Sequence, residues 1–138
     1  MTRASRTMCG ILLILIPAVE FGGWILLRQV VDPASPYMTQ AMHQNLQRAA
    51  HAHAGVILLL SLVMQLLADY AALPSALVWT VRIAFPVAAT LMSAGFFLGA
   101  VDPALLGPVY AGGGLLALSA ITLAVGLLRP LRSPRAAA

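Results

Sequence analysis

Few side chains in this 138-residue sequence can do chemistry, so each one that can is informative. There are three histidines (His43, His51, His53), four acids (Glu20, Asp32, Asp69, Asp102), one cysteine (Cys9), and eight arginines with no lysine. No nucleophile stands beside a base, no glycine-rich loop could cradle a phosphate, and no two carboxylates pair, so an autonomous enzyme is not the expected reading. An ionisable group at membrane depth is costly and calls for a partner. Two residues meet that description. Glu20 lies about twelve residues into the first apolar run, roughly 18 Å deep at 1.5 Å per residue. Arg82 lies about eight residues into the third, at roughly 10 to 12 Å. An intramembrane Glu20–Arg82 pair is the preferred arrangement. In the alternative, Arg82 extends to the headgroups while Glu20 stays neutral or bonds a neighbouring helix.

The second apolar run is the most patterned. At about 100° per residue, Gln44, Gln47, His51, Gln65 and Asp69 fall within about 40° of one line, a polar stripe along the whole helix. His53 sits roughly 200° round from His51, so the two cannot hold one small ion from a straight helix, and His43 is about 80° away. Imidazole is a donor for haem iron or a soft metal, and His51, with His53 beside it, is the candidate ligand. The competing reading places His51 near the outer interface, at the depth of Arg28, bonded to a backbone carbonyl or to Asp32.

The string Arg48-Ala49-Ala50-His51-Ala52-His53-Ala54-Gly55 resembles one found in small four-helix membrane proteins of high-GC bacteria. More distantly it is similar to the H-x-H transmembrane segments of haem-bearing proteins related to the heme-copper oxidase and NnrS groups. That resemblance implies a haem cofactor. A second axial ligand would then come from another copy of the chain, a partner subunit, Met64 or Met92. A looser likeness joins Ala18-Val19-Glu20-Phe21-Gly22-Gly23-Trp24 to the small multidrug resistance transporters, which carry one membrane-embedded glutamate in the first of four helices. It implies a proton-coupled carrier working through Glu20.

The elements that must position these residues follow from composition. Apolar residues make up 61% of the chain and charged ones 9%, with a mean hydropathy of +0.93, outside the range of soluble domains. About 20 apolar residues cross a bilayer as a helix. Four such runs are expected, over about 8–31, 40–70, 74–101 and 108–128. Asp32-Pro33-Ala34-Ser35-Pro36, Asp102-Pro103 and Arg129-Pro130 break them, with Thr39 as the N-cap of the second. The first run continues to Leu27 without an A-x-A site and reads as a retained helix rather than a signal peptide. The fold class is therefore all-α, a polytopic antiparallel four-helix transmembrane bundle forming one domain over 1–138, with short tails at 1–7 and 129–138. The second helix is expected to rise out of the outer face, and the tail from Leu131 to fray.

Arg3 and Arg6 at one end of the chain, and Arg129, Arg132 and Arg135 at the other, place both termini on the cytoplasmic side of a cell membrane. The arginines cap apolar runs rather than forming one polar face, which excludes a nucleic-acid partner. Small residues should mark packed faces. Gly113, Ala117, Ala120 and Ala124 are expected to point inward from the last helix, and Ser75, Ala89, Ser93 and Ala100 from the third. Cys9 reads as a spectator thiol. The leading functional expectation is an accessory or assembly-type subunit of a membrane complex, respiratory or redox in kind, or a homo-oligomer in the bilayer. The alternatives are a haem- or metal-binding redox protein using His51 and a carrier using Glu20.

Overall fold

The structure, a computed structural model, describes residues 1–130. The tail from Leu131 onward, with Arg132 and Arg135, lies outside the described residues. The described residues form an all-α four-helix bundle. Its long helices are α1 (Arg3–Val31), α3 (Ala41–Leu67), α4 (Ser75–Val101) and α5 (Gly107–Leu128), with a short α2 (Pro36–Thr39) and a 3-10 turn (Pro103–Leu106) on the connections. Four helical stretches are long and apolar enough to cross a membrane.

The breaks arise from local chemistry. Asp32 ends α1 and its carboxylate accepts the Ala34 N–H at 3.0 Å, while the Ser35 hydroxyl accepts the Tyr37 N–H to start α2. Asp102 repeats the device on the Ala104 N–H at 2.9 Å. Three boundaries depart from expectation. First, α1 begins at Arg3 rather than at Met8, because Thr2 is an N-cap whose hydroxyl accepts the Ser5 N–H, so residues 3–7 are helix and not tail. Second, Thr39 closes α2 by donating to the Pro36 carbonyl, leaving Gln40 to precede α3 without a side-chain cap. Third, α3 stops at Leu67, which puts Asp69 in the turn that follows.

In the bundle α1 packs on α3, α3 on α4 and α4 on α5. Contacts along each pair run in opposite senses. Ser5 meets Gln65 while Gly23 meets His51, Gln65 meets Arg82 while His43 meets Ala100, and Gly95 meets Val109 while Gly112 meets Met92. Each neighbouring pair is therefore antiparallel. Thr2, Asp69, Ala72 and Gly126 share one end of the bundle, where the Ala72 N–H donates to the Gly126 carbonyl at 2.8 Å. Asp32, His43, Ala100 and Asp102 belong to the other end.

The interior core surrounds Phe85 of α4, fully buried with Val81, Ala68 and Leu123 and flanked by Leu60 and Met64. The face of α5 that packs is Gly112, Ser119, Leu123 and Gly126. This corrects the expected stripe, since Ala117 and Ala124 are exposed and a side-chain carbon added at Gly113 would meet open space. On α4, Ala89 is buried as expected, whereas Ser75 is exposed. Pro17 and Pro86 both lie inside continuous helices.

Candidate functional site

Two polar loci stand out in an otherwise apolar bundle. The first is at the end where the α1 N-terminus, the turn after α3 and the first half of α4 meet. Arg82 is 3% exposed and its Nη2 donates to Asp69 Oδ1 at 2.7 Å. Its Nη1 lies 2.9 Å from Ser5 Oγ, 2.9 Å from the Gln65 carbonyl and 3.1 Å from Gln65 Oε1. Asp69 also accepts the Thr2 N–H on Oδ2 at 2.8 Å and the Thr2 hydroxyl on Oδ1 at 2.7 Å, with Ser5 Oγ 2.6 Å from Oδ1. The preferred Glu20–Arg82 pair is thereby corrected. From a backbone two turns inside α4, the arginine side chain reaches back toward the bundle end and finds an acid there, with no need of one deeper in α1.

Helix-end electrostatics explain why these groups gather. The Gln65 carbonyl, in the last turn of α3, lies 2.9 Å from Ser5 Oγ and accepts from the Arg82 guanidinium, a cation at a helix C-terminus. Asp69 places an anion at the N-terminus of α1, where it accepts the N–H of the N-cap Thr2. Pro86 supplies the rest. It has no N–H, so the Arg82 carbonyl one turn earlier loses its helical donor, and Gln65 Nε2 takes that place at 2.8 Å. Gln65 is fully buried with both ends of its amide engaged. Burial alone would raise the Asp69 carboxyl. The donors Ser5, Thr2 and Arg82 outweigh it and hold the group well below the usual carboxylate range.

The second locus is a cavity of about 220 Å³ between α1, α3 and α4, with His51, Thr90 and Ser93 among its walls. The His51 ring lies against Gly22 and Gly23. A side-chain carbon at Gly23 would stand 3.1 Å from both ring atoms Cε1 and Nε2. That level is five residues below Arg28, roughly 7 Å deeper into the bundle than the expected interfacial position. The hydroxyl oxygen of Ser93 is buried with no hydrogen-bond partner among the described residues.

The polar stripe on α3 is divided between these places. Gln65 and Asp69 serve Arg82 and His51 faces the α1 glycines, while Gln47 turns to His43. His43 Nδ1 donates to the Ala100 carbonyl at 2.9 Å and its Nε2 accepts from Gln47 Nε2 at 2.7 Å, tying the start of α3 to the end of α4. Removing this ring breaks two hydrogen bonds of about 1 kcal/mol each. His43→Ala should therefore lower the apparent melting temperature by only a few degrees and speed amide exchange around Asp102. Gln44 is half-buried.

His53 donates from Nδ1 to the Ala49 carbonyl at 2.8 Å and tilts against Phe96, 4.9 Å between ring centres. Met64 lies in the core around Phe85, and Met92 packs on Gly112 of α5. Neither methionine is among the residues that line the cavity holding His51. Among the described residues no three His, Cys, Asp or Glu side chains come together as metal ligands. Glu20 is exposed on α1, within about 5 Å of the helix midpoint, and does not line the cavity. The Cys9 thiol lies 4.0 Å from the Leu62 carbonyl. Sequence reasoning missed Thr2 and Ser5, although a threonine followed three residues later by a serine at a helix start is a capping signal. It also missed that Ser93 and His51 share a cavity.

Fold and sites together define an all-α bundle of membrane-spanning type. No protein-family model, curated protein or solved structure matches the chain.

Proposed function

We propose that the protein is a multi-pass subunit of a larger assembly in the cytoplasmic membrane of a bacterium, with both termini cytoplasmic, and that it acts by assembly rather than catalysis. The observation that carries this reading is Glu20. It stands near the midpoint of α1 on an outward face, unpaired within the described residues, beside Phe21 and Trp24, whose rings stack at 5.5 Å. A carboxyl in that position, facing lipid alone, would have no hydrogen-bond partner, whereas a second membrane-spanning surface supplies one. The rest of α1 agrees. Only 11% of its most apolar stretch is buried, against 39% for α4, so a large surface is left for a neighbour. A carrier would need Glu20 on a substrate path, and the cavity wall does not include it.

The test is native mass spectrometry of the protein extracted in mild detergent, before and after Glu20→Leu. The wild type should run as a complex well above its 14.5 kDa monomer mass, and the variant should shift toward monomer with its melting temperature retained. A strictly monomeric wild type, or an assembly indifferent to the substitution, overturns the proposal.

A further inference from the structure

The cavity beside His51 has a composition that selects its occupant. Its walls come from three helices, it is mostly apolar, and no charged side chain lines it. It is not uniformly greasy, however. His51 projects from α3, and Ser93 faces it from α4 with a buried hydroxyl that has no partner among the described residues. A buried polar atom left unmade is a standing free-energy cost, and a ligand oxygen removes it. Each of the other two histidines spends its Nδ1 on a protein carbonyl, and His43 spends its Nε2 on Gln47 as well. Among the described residues His51 has no such bond, so its ring N–H is available to the cavity.

Size and opening narrow the choice. At about 220 Å³ the space is smaller than the roughly 300 to 1,000 Å³ of sites that enclose a whole drug-sized molecule. It accommodates a ring-sized head. Leu15 and Ala18 of α1 and Thr90 of α4, all on its wall, are exposed and lie along the middle portions of their helices, and the exposed Phe97 extends the wall toward the end of α4. The mouth therefore opens sideways at bilayer depth, where an apolar tail can continue into lipid.

We propose that this cavity binds the head of a neutral lipophilic molecule of the quinone class. One ring oxygen would be held by the His51 N–H and another by the Ser93 hydroxyl, with the tail leaving between α1 and α4. Neutrality follows from the absence of any charge in the wall. Two oxygens are called for because two uncommitted hydrogen-bonding groups, His51 and Ser93, face the space from separate helices, whereas the third polar side chain on the wall, Thr90, donates to the Pro86 carbonyl at 3.1 Å. The site is independent of the assembly face, since Ser93→Ala alters nothing on the outward side of α1.

Binding is measured with radiolabelled decylubiquinone on protein in lipid nanodiscs, with uptake by empty nanodiscs subtracted. The wild type should saturate at one molecule per chain. Ser93→Ala removes one oxygen atom and leaves the packing intact, and it should weaken binding about tenfold, the equivalent of one lost hydrogen bond. His51→Phe should weaken it at least as much. Ala18→Phe, which fills the mouth from an exposed position, should abolish it while the melting temperature holds. Uptake no greater than that of empty nanodiscs overturns the proposal. So does saturable binding unchanged by Ser93→Ala and Ala18→Phe, or equal displacement by the tail hydrocarbon alone, which would make the cavity a groove for acyl chains.

Discussion

Replacing Asp69 by alanine should destabilise the protein more than any other single side-chain truncation at a polar position. Arg82 is 3% exposed, and without Asp69 its guanidinium keeps neutral acceptors but loses its counter-charge. Breaking one side of a buried pair costs about 3–5 kcal/mol because the remaining charge is stranded. The Thr2 N–H and hydroxyl lose their acceptor in the same step, so α1 should detach first at its N-terminal turns. Cys9 provides the reporter. It is the one cysteine in the chain and lies on the α1–α3 contact, so a thiol-reactive dye reads its exposure directly during a thermal ramp. Replacing both partners with apolar residues, Asp69→Leu with Arg82→Met, should recover more than half of the loss, as removal of a whole buried pair often does. Losses that simply add would show that the two charges do not act as a unit.

The same carboxylate fixes a pH dependence. Its folded-state pKa lies below its unfolded value, so the unfolded chain binds protons more readily in acid. Its contribution to stability is complete above the unfolded pKa of about 4 and is lost as the pH falls below that toward the folded value. The gap in melting temperature between wild type and Asp69→Ala should stay constant from pH 8 to about pH 5, then close in stronger acid. A gap that closes between pH 8 and 6 would mean another group governs it.

How much of this was legible in the sequence depended on whether a feature was set by one helix or by the register between two. The four long helices follow from apolar runs ended by Asp32-Pro33 and Asp102-Pro103, and they emerge within a few residues of expectation except at Arg3. There the polar residues 3–7 read as tail, because nothing local shows that Ser5 will dock on the Gln65 carbonyl sixty residues away. The polar stripe was legible as periodicity, and His51 and Asp69 do face α1, whereas the Gln65 side chain turns to Arg82 of α4 and meets α1 only through its backbone carbonyl. The partner of Arg82 was not. Depth along a helix favours Glu20, whereas the choice of Asp69 depends on α3 ending at Leu67 and on the side chain reaching backward.

The inward face of α5 failed for a different reason. In a membrane the lipid-facing side is as apolar as the packed side, so hydrophobic periodicity fades, and small residues occur all round this helix. A wheel of Gly112, Gly113 and Gly114 cannot say which one meets α4. Three-dimensional contact distinguishes them: a carbon added at Gly112 would lie 2.7 Å from Met92 Cγ and 3.0 Å from the Ala88 carbonyl oxygen, with nothing near one at Gly113 or Gly114.

Gly95 carries the second large expectation. A methyl group there would come within 2.7 Å of the Val109 backbone nitrogen, 2.8 Å of its Cγ2 and 3.1 Å of Pro108 Cβ. The nearest of these is main chain in the first turn of α5, next to a proline, so no side-chain rotation relieves the overlap and the two helices must separate. Overpacking of this kind costs about 1–3 kcal/mol, and spreading the pair also loosens contacts further along the α4–α5 seam. Against this stands the ordinary helix preference for alanine over glycine, about 1 kcal/mol in the opposite direction. Overlap should win at Gly95, so Gly95→Ala should lower the melting temperature and Gly95→Leu should lower it severely. Gly114→Ala meets only open space and should be neutral or stabilising. The pair is a controlled comparison, with the same substitution in adjoining helices and opposite predicted signs. Equal effects at the two positions would mean that close approach at Gly95 does not hold α4 and α5 together.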